Sequence, residues 1–201
     1  MIDKALEFLT AEITNYLTVN AGSPPGTDWI VLSNVANEQG GWAIPNDTLG
    51  LSLINIEEER VFKEQQTAFR NDEGKIEHYN PELKLNLYVL LTARFISGET
   101  SNAGLQYSEG LKRLSSVISF FQGKNVFTTD NSPTLDPGIQ KLVVELYSYS
   151  FEQQYNFWTV IGAKYLPSAL YKVRMITYQE KRTLDQQVPI EVVESNLTQS
   201  E

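Results

Sequence analysis

The chain's one histidine, His78, lies in the polar stretch "GKIEHYNP" with Glu77 beside it. A histidine base needs an orienting acid on one side and a nucleophile on the other. The acid is adjacent, but no Gly-x-Ser-x-Gly elbow occurs anywhere in the sequence. His78 therefore reads as a loop side chain in water. "GAK" (162–164) sets a glycine before a lysine. A phosphate loop requires a longer glycine-rich run ending in Gly-Lys-Ser/Thr, whose backbone amides surround the phosphates. Here the single glycine reads as a helix cap. Two acid clusters remain, "EEER" (57–60) and "DNSPTLD" (130–136). Metal-assisted hydrolysis calls for carboxylates converging from rigid elements, often with histidine, and the second cluster lacks the spacing and central glycine of a calcium loop. Both read as solvated loop ends or as charges offered to a partner. No catalytic, cofactor-binding or metal-binding residue is expected, and the chain does not read as an enzyme.

The bulk numbers agree. Cysteine is absent from the 201 residues, which removes disulfides, thiolate metal sites and cysteine nucleophiles together and suits a reducing compartment. The net charge is −9 with no clustered basic footprint, so nucleic acid is not an expected partner. No apolar run reaches the ~18 residues of a spanning helix. "MIDKALEFL" mixes acids into its apolar positions and reads as no signal peptide. An acidic, soluble, cytoplasmic protein with no direct membrane insertion is expected.

The elements follow from periodicity. Residues 1–17 carry Ile2, Leu6, Leu9, Ile13 and Leu17 at helical spacing, ended by "AGSPPGT". Residues 28–36 and 48–60 read as strands around a loop at 37–47. In the second strand the alternation Leu49, Leu51, Leu53 shifts to Ile54, Ile56, predicting a bulge or burial on both faces. Residues 61–81 read as a hairpin or flexible loop. In the strand 82–95, Leu83 through Phe95 alternate against Lys84, Asn86, Tyr88, Thr92 and Arg94, which predicts one core face and one face that is wet or meets a partner. A helix is expected over 108–123, capped by Ser108, with Leu111, Leu114, Val117/Ile118 and Phe121 buried and Gly123 just past its end. A loop (128–138) and a strand (141–149) follow. "SFEQ" (150–153) has the form of a capping box and Gly162 that of a C-cap, enclosing a short helix whose Phe151, Tyr155 and Trp158 are expected to bind it to the sheet. A strand over 169–178 closes the domain.

The sum is an α+β domain over 1–178, a mainly antiparallel twisted sheet with helices covering one side. A polar, acidic tail over 179–201 reads as disordered or as an arm adding a strand to a neighbour, through its β-prone patch Val188, Pro189, Ile190, Glu191, Val192 and Val193. Such features suit a protein that binds proteins. The charged residues expected on the wet sides of strands, Glu57, Glu58, Glu59, Arg60, Lys172 and Arg174, are the candidate contacts. The alternative is that they are ordinary solvated side chains.

Five blocks in the same order, "MIDKALEFLTAEITNYL" (1–17), "LINIEEER" (53–60), "LNLYVLLTARF" (85–95), "GLKRLSSVISFFQGKNVFT" (110–128) and "KLVVELYSYSFEQQYNFWTVIGAKYLPSALYKVRMI" (141–176), resemble the cap, or tail-terminator, proteins of contractile injection systems, which are phage-tail-like particles. The resemblance implies a tail-terminator-like fold and a homohexameric ring. It implies that this ring terminates inner tube and sheath at the end distal to the baseplate and helps fix length, with no catalytic residues. The implied partners are further copies of the chain, the sheath protein and the inner tube protein. Assembly would be cytoplasmic, in a particle later released or docked on a membrane. The patch Val188–Val193 is then the candidate strand for exchange with a sheath arm, and 61–81 a second contact. The alternatives are another ring or adaptor of the same particle, or a small enzymatic or ligand-binding domain.

Overall fold

The computed structural model describes residues 1–21, 29–59, 68–70, 76–78, 83–96, 103–177 and 185–187. In chain order the elements are α1 (Ile2–Ala21), β1 (Ile30–Leu32), β2 (Thr48–Glu58), β3 (Ala68–Arg70), β4 (Ile76–His78), β5 (Lys84–Arg94), α2 (Ala103–Gly123), β6 (Val126–Thr128), β7 (Ile139–Leu146), α3 (Phe151–Ile161), β8 (Ser168–Thr177) and β9 (Asp185–Gln187). Six strands form one sheet in the order β1-β2-β5-β8-β7-β6. Every pairing in it is antiparallel except that of β1 with β2. The class read from the sequence, α+β on a mainly antiparallel sheet, is the class observed.

The middle of the sheet is apolar on both faces. On one face, Leu49 and Leu51 of β2, Leu87, Val89 and Leu91 of β5 and Val173 and Met175 of β8 form a single cluster with α1 and α2. Helix α1 contributes the expected Leu6, Leu9, Ile13 and Leu17, with Ala5 and Phe8 beside them. Along its flank, Thr10, Thr14 and Thr18 each donate a hydroxyl bond to the carbonyl four residues back, at 2.8–2.9 Å. A β-branched polar residue can thus sit in a helix without leaving its hydroxyl dry.

The other face carries the first correction. Leu90 of β5 and Leu170 of β8 pack with Val35 and Ile44 of the loop 33–47, and with Trp158 and Leu166 from α3 and the segment after it. Helices therefore lie on both sides of the sheet, and β5 has no wholly wet face. Asn86 and Thr92 are buried with it. A period-two pattern records residue type and not what lies opposite. A covering loop and helix supply that cover from 40–80 residues away in sequence. The strand expected over 28–36 shortens to β1 for the same reason, because Ala36 bridges to Trp42 and turns the chain back across the sheet. In β2 both sequence alternatives are realised. Thr48 to Ser52 are all buried, and the register with β5 shifts between Leu53 and Asn55.

Helix α2 starts earlier than expected, so Ser108 lies inside it and caps nothing, and Gly123 is its last residue. Its first turns are exposed at Leu105 and Tyr107 and so carry no apolar stripe to be read. Leu111 is also exposed, and Phe120 takes its place beside Leu114, Val117 and Phe121. Gly110 is required by proximity, since a Cβ there would lie 2.8 Å from the Phe95 ring.

Helix α3 has both expected ends. The Ser150 hydroxyl accepts from the Gln153 amide at 3.2 Å, and the Gln153 side chain accepts from the Ser150 amide at 2.9 Å. Gly162 takes the left-handed conformation, φ 71°. Its aromatics, however, do not all face the sheet. Trp158 is buried, whereas Phe151 is 90% and Tyr155 72% exposed.

The expected hairpin is present as β3 and β4, antiparallel from Ala68↔His78 to Arg70↔Ile76. Within the segment read as a tail, β9 pairs with β4 of the same chain. The patch 188–193 lies outside the described residues.

Two outcomes follow from this packing. A Cβ at Gly50 would lie 2.3 Å from Ile44 Cδ1 and 2.8 Å from Thr92 Oγ1. Gly50→Ala should therefore overpack the seat of the covering loop and cost about 1–3 kcal/mol, read as a lower urea midpoint with an unchanged slope. Tyr171 is 3% exposed with its hydroxyl lacking a partner, and burial pushes its pKa up to about 12 from 10.0. The folded state thus holds a proton that the unfolded chain releases first. Stability should be intact below pH 10 and fall as pH rises towards 12. That fall, measured by urea titration at each pH, should be shallower in Tyr171→Phe.

Candidate protein-interaction site

The bulge in β2 decides which side chains share a face. Beyond it, the register sets Glu57, Asn86, Arg174 and Val143 in one row across β2, β5, β8 and β7. The neighbouring row is Asn55, Tyr88, Lys172 and Glu145. These rows continue the face that α3 and the loop 33–47 cover at its other end, and among the described residues no helix lies over them.

The polar groups in these rows hold one another in place. The Tyr88 hydroxyl donates to Glu57 Oε2 at 2.9 Å, and Asn55 Nδ2 donates to Glu57 Oε1 at 3.3 Å. Asn86 Nδ2 donates to Glu59 Oε2 at 3.1 Å. The Arg174 guanidinium pairs with the Glu145 carboxylate. The Tyr147 ring meets Tyr88 edge-on with centroids 5.3 Å apart. Burial first, and then the bond to Glu57, push the Tyr88 pKa up to about 12. Its hydroxyl, protonated at neutral pH like that of any tyrosine, stays a donor further into the alkaline range. A shallow cavity of about 340 Å³ opens beside these groups, lined by Lys84, Asn86, Lys141, Arg174 and Ile176.

The sequence-derived contacts fall out as follows. Glu57, Lys172 and Arg174 share the open face, and Glu59 lies at its edge, where its amide donates to the Lys84 carbonyl at 2.9 Å. Glu58 is in register with Leu85 and so lies on the opposite face. Arg60 and Val188, Pro189, Ile190, Glu191, Val192 and Val193 lie outside the described residues. Glu57 and Arg174 already have partners in their own chain. Cross-strand pairs form wherever opposite charges meet on one face, and exposed pairs of this kind contribute only ~0–1 kcal/mol.

Among the described residues no three histidine, aspartate or glutamate side chains come together to hold a metal ion. In "DNSPTLD" the oxygens serve the backbone: Asn131 Oδ1 accepts from Thr128 N at 3.0 Å and Asp136 Oδ1 from Gly138 N at 2.8 Å. Gly162 of "GAK" caps α3. The backbone of His78 ends β4. No described helix is long and apolar enough to cross a membrane.

Sequence reasoning missed the exposed aromatic surface. Tyr147, Phe151, Tyr155 and Tyr165 are all exposed. A signal was present, because Phe151 and Tyr155 stand on a helix whose one charged residue is Glu152. Spacing alone cannot say whether an aromatic stripe faces in or out.

Comparison with known proteins bears on this fold directly. The Pvc16 N-terminal domain model matches residues 5–191. No curated protein matches the chain. Among solved structures, the chain is similar to the PVC sheath/tube terminator of an extracellular contractile injection system in its extended state. That match has TM-score 0.57 and 16% identity, over 100% of this chain and 64% of that one. It is also similar to the anti-feeding prophage cap, a tube-terminating cap, with TM-score 0.52 and 13% identity, over 92% of this chain and 58% of that one. The chain thus spans about three fifths of the length of each of these solved terminators. With its strands, helices and covering loop inside the matched span, the chain belongs to the Pvc16 N-terminal domain family.

Proposed function

We propose that this chain is a structural cap component of a contractile injection system. It forms a ring that terminates inner tube and sheath at the end distal to the baseplate and so sets particle length. The observation that carries the proposal is one family match running from α1 to past β9, joined to a shared fold with two tube terminators. The described surface is in keeping with it, since it offers internally bonded polar rows and exposed aromatics.

The physics of such a part is simple. A tube grows because its head-to-tail interface does not close along the axis, and a ring closes because its lateral one does. A terminator must match the last layer on one surface and present nothing equivalent on the other. In this reading six copies close laterally, and the sheath and inner tube proteins meet the end face. The part assembles in the cytoplasm. The rows of Glu57, Lys172 and Arg174 are the proposed contact with that last layer, and the segment Val188–Val193 the strand exchanged with a sheath arm.

The test uses the chain with the tube and sheath proteins of its own particle. Imaging should find the chain once per particle, at the end away from the baseplate, and particles assembled without it should have irregular tube lengths. Its presence along the sheath, or at the baseplate end, would overturn the proposal. Arg174→Ala should lower stability by less than about 1 kcal/mol, as for an exposed pair, yet weaken binding to capless tube–sheath particles tenfold or more in a sedimentation assay. Unchanged binding would remove this row from the contact.

A further inference from the structure

Helix α3 presents an unusual surface for a chain of net charge −9. At its N-terminus Phe151 is 90% exposed, and Tyr155, one turn on, is 72% exposed. Scattered exposed apolar residues are ordinary, but a clustered aromatic patch with little charge is the composition of an interface centre. Past its other end the chain forms a hollow of about 480 Å³, walled by Trp42, Phe95, Ile96, Tyr107 and Tyr165. Ile96, Tyr107 and Tyr165 are themselves 43–58% exposed. Lys164 stands in the lining, and Glu152 stands next to Phe151. Among the described residues neither forms an ion pair within the chain.

We infer that α3 is a copy-to-copy connector: Phe151 and Tyr155 of one chain enter the Trp42–Tyr107–Tyr165 hollow of a second copy, with Glu152 meeting that copy's Lys164. The occupant follows from three features of this surface. The projection and the hollow match in chemistry, both being aromatic. Their single charges are opposite, so two chains of net charge −9 can approach here without local repulsion. Aromatic side chains bury roughly 150–250 Å² each when fully covered, so the nearly free Phe151 and Tyr155 alone supply a substantial share of the ~800 Å² that one partner contributes to a stable interface.

The geometry also sets the kind of contact. Projection and hollow lie towards opposite ends of an 11-residue helix, about 16 Å apart along its axis. They are different surfaces, and in the ring reading the contact is heterologous, the projection of each copy entering the hollow of the next. This inference rests on the ring reading for its biological setting and names the surface that closes the ring.

The absence of cysteine makes the test clean. Single cysteines are placed by Phe151→Cys and Tyr107→Cys, both at exposed positions, and bridged with a short bis-maleimide in the purified chain at high concentration. The expected result is a heterodimer when the two single variants are mixed, a ladder of higher multimers from the double variant, and no product from either single variant alone. In light scattering of the cysteine-free chain, Phe151→Ser should shift the mass towards the 22.8 kDa monomer, and Lys164→Glu combined with Glu152→Lys should form more multimer than either alone. A double variant that stops at the dimer would mean a reciprocal, isologous contact, and a Phe151→Cys dimer formed by itself would mean that the helices meet each other; either would overturn the inference. So would the absence of any ladder with an unchanged mass in Phe151→Ser. Tube and sheath are absent from this experiment, so the cap reading and the α3 contact fail independently.

Discussion

The structure depends on β5 being apolar on both faces. Leu87, Val89 and Leu91 face one way, Leu90 faces the other, and each is at most 1% exposed. Removing such a side chain from water is worth roughly 1.5–3 kcal/mol, and this gain requires cover on both sides. Helices α1 and α2 cover the first face. Among the described residues the second is covered by the loop 33–47, with Ile44 wedged over Gly50, and by Trp158 from the short helix α3. The positive φ of Asp47 just before β2 and the Ala36–Trp42 bridge bring that loop back across the sheet.

This cover is partial, and function is proposed where it stops. At the Leu90 end the face is closed. At the other end Asn86 is still buried, but Glu57 is exposed and Glu145, Lys172 and Arg174 are half-buried, in matched rows across the strands. Such rows suit docking against a fixed protein surface, because the Arg174–Glu145 pair and the Tyr88–Glu57 bond are made before a partner arrives. The bond that orients Glu57 comes from a tyrosine kept protonated well past neutrality. The surface thus keeps this feature over the ordinary range of pH.

Helix α3 belongs to both roles. One side of it, through Trp158, seals the second core, while Phe151 and Tyr155 stand clear. Its strong caps explain how so short an element can do this. A helix of this length is marginal on its own, and a capping box at one end with a left-handed glycine at the other supplies satisfied backbone groups that a single buried face does not. A rigid aromatic projection costs little ordering entropy when it is finally covered.

The lines legible in the sequence were those set within a few residues. The stripe of α1, the Ser150–Gln153 box, the Gly162 cap, the β2 bulge and the alternation of β8 all follow from local sterics and hydrogen bonding. Five ordered blocks carried the family resemblance that the match over 5–191 bears out. The tertiary structure alone decided which faces are wet: that Asn86 and Thr92 of β5 are buried, that Leu111 is exposed where Phe120 is not, and that Phe151 and Tyr155 point to solvent. The physical reason is that periodicity records how side chains divide between two faces, whereas burial depends on what the rest of the chain brings to lie over each of them.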